Sequence, residues 1–162
     1  MSWLQSSASD CRKFWRLSWT EKWLLAEAFA VLAGASLGLR LLGFRRCHSL
    51  LNLLAPGADE AGEAAHARRQ VRGQTLAKSL GIAAARIPFG ATCLQQALAL
   101  WWLLRLNKVE SQMRIGVTKD DGQFKAHAWV ELLGSALNDR QDVSLRFKPF
   151  DHAIDPSRLQ PR

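Results

Sequence analysis

The chain has 162 residues, with 22 Lys and Arg side chains against 14 Asp and Glu, a formal net charge of +8. This length fits one domain whose core needs no disulfide or metal to support it. An apolar fraction of 48% with only 22% charged residues excludes a wholly disordered chain. Residues 1–90 carry 12 basic and 6 acidic side chains, so most of the positive charge lies in the first half. Such a charge suits an acidic polypeptide, a nucleic acid or a membrane surface, and does not choose among them.

The first long apolar segment is typical of a helix. Thr20 as N-cap predicts a helix that begins at Glu21 and ends near Leu54. Its charge-free run, residues 28–39, is shorter than the roughly 20 residues of a membrane span. Basic residues before this run and small residues within it resemble a signal peptide, but Arg40 and further arginines follow at once. We therefore expect buried scaffold helices, with neither an export signal nor a membrane span.

A second helix is predicted over residues 60–85, after a helix breaker at residues 55–59. Gly73 and Gly81 interrupt its apolar pattern. Its arginines are most simply a solvated face: Arg68, Arg69 and Arg72. No strand pattern appears in residues 1–90, which we expect to form a helical extension packed on the rest of the chain.

Residues 91–162 differ from the first half of the chain, because alternating, strand-like patterns follow an apolar helix. Thr92 is the expected N-cap of an apolar helix over residues 93–106. Alternating patterns then predict strands over residues 112–118 and 124–132, joined by a turn at Asp120–Gly122, and a short third strand over residues 143–147. The prediction is an α+β fold, in which the helix over residues 93–106 packs on a small antiparallel sheet.

The number and spacing of the cysteines do not favour disulfide bonds or a cysteine-bound metal. There are three, with no CxxC spacing: Cys11, Cys47 and Cys93. An odd number without a metal-ligand pattern disfavours a disulfide framework or a zinc ribbon, and indicates a reducing, cytoplasmic location. Three histidines have no carboxylate or thiolate company at metal-ligand spacing: His48, His66 and His152. We expect no metal site and no cofactor.

One cysteine has a functional context. Cys93 opens a buried helix, where unpaired N–H groups and the helix dipole stabilise a thiolate and can bind an oxyanion. His127 follows on a strand and Asp139 lies beyond the next turn, so the three form a nucleophile, base and orienting group. Taken singly, each also has a structural interpretation, as a small core residue, a strand histidine and a turn residue.

The geometry of this triad depends on one loop. A three-residue loop, Leu133–Ser135, would set Trp129 opposite Asp139 and make His127 its diagonal neighbour. A two-residue loop would place Asp139 on the opposite face of the sheet. We predict the three-residue loop.

Four segments together resemble the transglutaminase-like cysteine peptidase of lasso-peptide biosynthesis, the B protein in its stand-alone leader-peptidase form: Thr92-Cys93-Leu94, Arg114-Ile115-Gly116-Val117, Ala126-His127-Ala128-Trp129-Val130-Glu131 and Leu137-Asn138-Asp139. The resemblance is dense over residues 86–139. The Cys, His and Asp of that family fall on Cys93, His127 and Asp139. The chain departs from the family at residues 107–110, where relatives usually place a Gly-containing turn.

The resemblance implies a transglutaminase-like, papain-like core and removal of the leader from a ribosomally made precursor peptide. An ATP-dependent lasso cyclase would then close the macrolactam. Since residues 1–90 lack the strands of a leader-recognition domain, a separate recognition protein is the expected third partner. Two alternatives stay open, a transglutaminase-type amidotransferase and a non-catalytic, basic helical adaptor. Nucleic-acid binding rests on charge alone and is not expected.

Overall fold

The computed structural model describes residues 18–54, 63–87, 90–120 and 122–150. It contains four helices in these ranges: α1 (Trp19–Leu54), α2 (Glu63–Ala84), α3 (Cys93–Leu106) and α4 (Val143–Arg146). It also contains four strands: β1 (Gln112–Asp120), β2 (Gln123–Leu132), β3 (Ser135–Ala136) and β4 (Lys148–Pro149). The strands form one antiparallel sheet in the order β3-β2-β1-β4. The predicted α+β class with a helical first half is confirmed. The helix breaker at residues 55–59, Cys11 and His152 lie outside the described residues.

The N-cap predicted for α1 is wrong by two residues. Ser18, not Thr20, caps the helix: its hydroxyl accepts from the Glu21 amide at 3.2 Å, and the Glu21 carboxylate accepts from the Ser18 amide at 2.8 Å. This reciprocal pair satisfies two backbone donors, whereas Thr20 lies within the first helical turn. At Gly43 the backbone leaves helical geometry (φ 71°), so α1 is two helical segments joined by a kink.

Helix α1 meets the length and composition criteria for a membrane-crossing helix, with a mean hydropathy of 1.6 over its most apolar window. Core helices of soluble proteins and signal sequences meet the same criteria. One side of α1, including Ala28, Leu32 and Ala35, is fully buried in the main core.

Helix α2 runs without a break through Gly73 and Gly81, the two glycines that interrupt its apolar pattern. Gly73 is a point of close packing, since a Cβ there would lie 2.5 Å from a methyl group of Leu132 on β2. Arg72, on the exposed side, donates to the Asn107 side chain at 2.7 Å and so links α2 to the end of α3.

The end of α3 explains the departure from the family pattern. Lys108 takes the left-handed conformation (φ 57°) that glycine usually supplies after a helix. Its amide donates to the Arg105 carbonyl and the Val109 amide donates to the Leu104 carbonyl, both at 2.9 Å, while Val109 is buried. These two hydrogen bonds form a Schellman motif, so the turn closes here without a glycine.

The two faces of the sheet bury different clusters. The main core joins α1, α2 and α3 to one face of β2, including Ala128 and Val130. On the other face, Trp129 is fully buried and packs with Val143 and the partly buried Phe147. This second face carries the histidine of the candidate site.

The short third strand predicted over residues 143–147 is wrong. Val143–Arg146 is one turn of helix, and the strand that pairs with β1 comes two residues after it, at Lys148–Pro149. Val143 and Phe147 alternate like strand residues, but they are also four apart and both pack around Trp129 from a helical turn.

Candidate active site

Cys93 is the first residue of α3, directly after its N-cap Thr92. The Thr92 hydroxyl accepts from the Gln95 amide at 3.3 Å and the Gln95 side chain accepts from the Thr92 amide at 2.8 Å, a complete capping box. The predicted cap is therefore confirmed. The N–H groups of the first helical turn have no acceptor inside the helix, so the half-buried thiol lies beside donors suited to an anion.

His127 lies on β2 directly opposite Gly116 of β1. Its ring stacks toward Trp129 with centroids 6.2 Å apart and lies 4.9 Å from the Phe147 ring. Gly116 makes room for this arrangement, because a Cβ there would lie 2.9 Å from both the Trp129 ring and the Lys148 carbonyl. The imidazole is thus held between aromatic rings and remains partly exposed, with 23% of its side-chain surface accessible.

Asp139 contacts His127, as predicted, but the chain brings the two residues together in a different way from the predicted one. The loop between β2 and β3 has two residues, Leu133 and Gly134, both at positive φ, so the three-residue prediction is wrong. This register would place Asp139 opposite Ala128, on the wrong face, if the strand continued. The strand does not continue.

The chain leaves the ladder after Leu137, whose amide donates to the Val130 carbonyl at 2.9 Å. At the next position of the ladder a side-chain oxygen accepts the hydrogen bond in place of a backbone carbonyl: the Val130 amide donates to Asn138 Oδ1 at 2.8 Å. The backbone then turns, and Asp139 Oδ2 lies 2.5 Å from His127 Nε2. The structure therefore joins these two predicted residues although their predicted register was wrong.

The second carboxylate oxygen of Asp139 is also bound. Arg146 contacts Asp139 Oδ1 at 2.5 Å, and the Arg140 amide donates to the same oxygen at 2.6 Å. Burial alone would raise the pKa of Asp139, but these contacts and the hydrogen bond with His127 outweigh burial and lower that pKa. Asp139 is thus held as a carboxylate beside the imidazole.

Sequence reasoning missed Arg146. The signal was present as Asp142 four residues earlier, which pairs with Arg146 at 3.3 Å. A spacing of four brings two side chains together on a helix but not on a strand, and the segment had been predicted as a strand.

The contact with Asp139 assigns roles to the two nitrogens of the imidazole. With Nε2 engaged by the Asp139 carboxylate, the neutral ring of His127 carries its proton there. Its Nδ1 then presents a lone pair and is the atom suited to act as a base.

The thiol and the His–Asp pair lie on elements that pack together, α3 on β2. Across the four described ranges, no hydrogen bond joins the Cys93 thiol to the His127 ring. The structure therefore brings together two members of the predicted triad and places the third at the head of the neighbouring helix. Cys47 differs sharply from Cys93: it is 3% exposed, packs against Gly38, and burial raises the pKa of its thiol.

The described residues contain no group of three or more His, Cys, Asp or Glu side chains placed to hold a metal ion. The described residues do contain a carboxylate-oriented imidazole on β2 and a thiol at the N-terminus of α3, the helix that packs on β2, and these groups are suited to acyl transfer through a thioester.

Comparison with known proteins agrees with this chemistry. A family model described as the transglutaminase-like superfamily matches residues 31–151, which include Cys93, His127 and Asp139. No curated protein and no solved structure matches the chain significantly. Members of this superfamily are generally cysteine-dependent enzymes. Because the match covers about three quarters of the chain, the protein belongs to the transglutaminase-like superfamily.

Proposed function

We propose that the protein is a cysteine peptidase that removes the leader from a lasso-peptide precursor. The observation that carries the proposal is the 2.5 Å contact between His127 Nε2 and Asp139 Oδ2, made on the strand against which the Cys93 helix packs. The resemblance of residues 86–139 to the leader peptidases supplies the substrate class. A transglutaminase-like core supports thioester chemistry in general, and this proposal narrows it to hydrolysis of a peptide bond.

The reaction begins with transfer of the Cys93 proton to His127 Nδ1. The thiolate attacks the scissile carbonyl, and the Cys93 N–H is one donor to the oxyanion. Collapse of this intermediate breaks the C–N bond, and the imidazolium protonates the amine of the departing core peptide. His127 then takes a proton from water, whose oxygen attacks the thioester carbonyl. The C–S bond breaks, the leader leaves with a new carboxyl group, and the imidazolium returns its proton to the Cys93 sulfur. Asp139 keeps the ring oriented throughout.

These reaction steps require His127 Nδ1 to approach the Cys93 thiol in the substrate complex. Hydrogen bonds between catalytic groups are often longer before substrate binds and shorten in the complex. No metal or cofactor takes part in any step. The partners in this proposal are the precursor, a separate leader-recognition protein and the ATP-dependent cyclase that uses the freed core, all in the cytoplasm.

The test is cleavage of the precursor in the presence of its recognition protein, followed by mass spectrometry. We expect the wild-type protein to release leader and core, with one water added across the cut bond. Cys93→Ala should release neither. Cys47→Ala is the matched control, because it also removes a thiol, and it should retain cleavage.

Three outcomes would contradict the proposal. Cleavage by Cys93→Ala would exclude the thiol as nucleophile. A leader joined to an added amine in place of water would identify an amidotransferase instead. Intact precursor bound to wild-type protein, with no product over time, would indicate the non-catalytic adaptor.

A further inference from the structure

The helix α1 is apolar on the side that faces away from the core as well as on the side that is buried. Six of the exposed positions in its first segment follow one another at intervals of three, four or seven residues, which places them on one side of a helix. We call this side the outer face of α1, and it comprises Trp19, Trp23, Ala26, Ala30, Leu37 and Leu41. None of these residues is polar or charged.

The large side chains of the outer face are well exposed in the part of the chain that the structure describes. Trp19 and Trp23 are 84% and 71% exposed, and Leu37 and Leu41 are 58% and 72% exposed. A Trp side chain offers about 150–250 Å² of surface, so the two tryptophans alone expose roughly 300 Å². With the leucines, the outer face reaches the few hundred Å² at which a continuous apolar patch marks an interaction site.

Positive charge lies at the end of this face. Arg40, Arg45 and Arg46 are exposed on either side of the kink at Gly43, and no acidic residue occurs between Arg40 and Leu54. The exposed leucines Leu41 and Leu42 lie between Arg40 and Arg45, and the exposed Leu50 and Leu53 follow Arg46. Leucine interspersed with arginine, with tryptophan at the far end, is the composition of a helix that lies in the interface of an anionic membrane.

We infer that the outer face of α1 docks the protein on an anionic lipid surface, with the helix lying along the membrane rather than crossing it. Crossing would require Ala28, Leu32 and Ala35 to leave the main core, in which they are fully buried. Docking by the outer face keeps those contacts and buries only side chains that are now exposed. A second copy of the chain is a poorer occupant, because a symmetric contact at the kink would bring like-charged arginines together.

Docking along the membrane also suits the dimensions of the helix. From Trp19 to Leu41 the outer face extends over about 33 Å at 1.5 Å per residue, a length over which an interfacial helix can insert its apolar side chains. The candidate active site lies on the sheet and α3, so the inference does not depend on the peptidase proposal.

The test is sedimentation of the full chain with two kinds of vesicle, pure phosphatidylcholine and equal parts of phosphatidylcholine and phosphatidylglycerol. We expect the protein to sediment with the anionic vesicles and to stay in solution with the neutral ones. Replacing Arg40, Arg45 and Arg46 by Gln should weaken binding by about a hundredfold, since each basic residue near an anionic surface contributes about fivefold. The double variant Leu37→Glu, Leu41→Glu should abolish binding.

The matched control places a negative charge at a different exposed apolar position. Phe124→Glu changes a side chain that is 78% exposed on the hairpin of the sheet, and it should bind vesicles as the wild type does. A thermal melt of each variant establishes that it is folded. Because a folding failure would make a variant uninformative, a second measurement uses the wild type: lipids brominated in the acyl chain should quench its tryptophan fluorescence, and quenching should fall in Trp23→Phe.

Three results would overturn the inference. One is wild-type protein that stays in solution with anionic vesicles. The second is equal vesicle binding by the Leu37→Glu, Leu41→Glu variant. The third is self-association of the wild type that the same variant abolishes, which would assign the outer face to a second copy.

Discussion

Asp139 reaches His127 because the Asn138 side chain takes over an acceptor position in the β-ladder. Asn138 Oδ1 binds the Val130 amide at 2.8 Å, which frees the backbone to turn and brings Asp139 Oδ2 to 2.5 Å from His127 Nε2. The site thus depends on a residue that touches neither the thiol nor the imidazole.

We therefore expect Asn138→Ala to lower the rate of leader cleavage and to destabilise the fold. The variant leaves the Val130 amide without its acceptor, which costs about 1–3 kcal/mol, and removes the contact that sets the turn. Asn138→Asp retains an oxygen acceptor and should recover most of the stability. Measurement of kcat and of the unfolding midpoint for both variants checks this. Full activity in Asn138→Ala would show that the turn does not depend on this hydrogen bond.

Arg146 is expected to act through Asp139 as a positioning residue. Arg146→Gln removes the cation from Asp139 Oδ1, so the pKa of Asp139 should rise towards its usual value. The acid limb of the cleavage rate should then move to higher pH, with a loss in kcat of about fivefold, as befits a partly exposed ion pair. Arg146→Lys should restore part of kcat and should move the acid limb part of the way back to its wild-type pH.

The matched control for Arg146 is Arg140→Gln. The Arg140 side chain is 79% exposed and pairs with Asp142, while its contact with Asp139 is made by the backbone amide and survives the substitution. Its pH profile should be that of the wild type. Equal acid limbs in Arg146→Gln and the wild type would remove Arg146 from the site.

The lowered pKa of Asp139 also predicts how stability changes with pH. A carboxyl group whose pKa is lower in the folded state stabilises the fold fully above its unfolded value of about 3.9. That contribution is lost as the pH falls through the folded value. The difference in unfolding midpoint between the wild type and Asp139→Asn should therefore shrink as the pH falls below about 4. A difference that grows as the pH falls below about 4 would contradict the assignment.

Gly116 is expected to be intolerant of a side chain. Gly116→Ala would place a Cβ 2.9 Å from the Lys148 carbonyl, which is backbone and cannot rotate away, and from the Trp129 ring. Overpacking of this kind costs about 1–3 kcal/mol and should displace the aromatic support of His127. Gly34→Ala is the control, because nothing lies within 4 Å of a Cβ there, and it should stabilise the helix by about 0.5–1 kcal/mol. Equal unfolding midpoints for the two variants would contradict this packing.

Local patterns were enough to predict the elements that carry the site. The Thr92 cap, the helix of Cys93 and the alternation along β2 each follow from neighbouring residues, and all three are found. What local patterns could not supply is the register between strands. Leu133 at φ 51° gives no sequence signal for a two-residue turn, because a bulky residue rarely adopts that conformation.

Tertiary contacts decided the remaining elements. Val143 and Phe147 satisfy a strand pattern and a helical pattern equally, and only packing around Trp129 selects the helix. This helical turn brings Arg146 into contact with Asp139. The spacing of the two residues in the sequence does not indicate that contact unless the helix is known. Cys93, His127 and Asp139 stay predicted catalytic residues; the structure adds the contact between His127 and Asp139 and the turn that makes it, which the sequence did not indicate.

The most direct test of the account is the alkylation rate of Cys93 by iodoacetamide at neutral pH, followed by mass spectrometry of each cysteine. If His127, oriented by Asp139, activates the thiol at the head of α3, Cys93 should react about tenfold or more faster in the wild type than in His127→Ala, while the buried Cys47 should react slowly in both. A Cys93 rate that is unchanged in His127→Ala would contradict the triad.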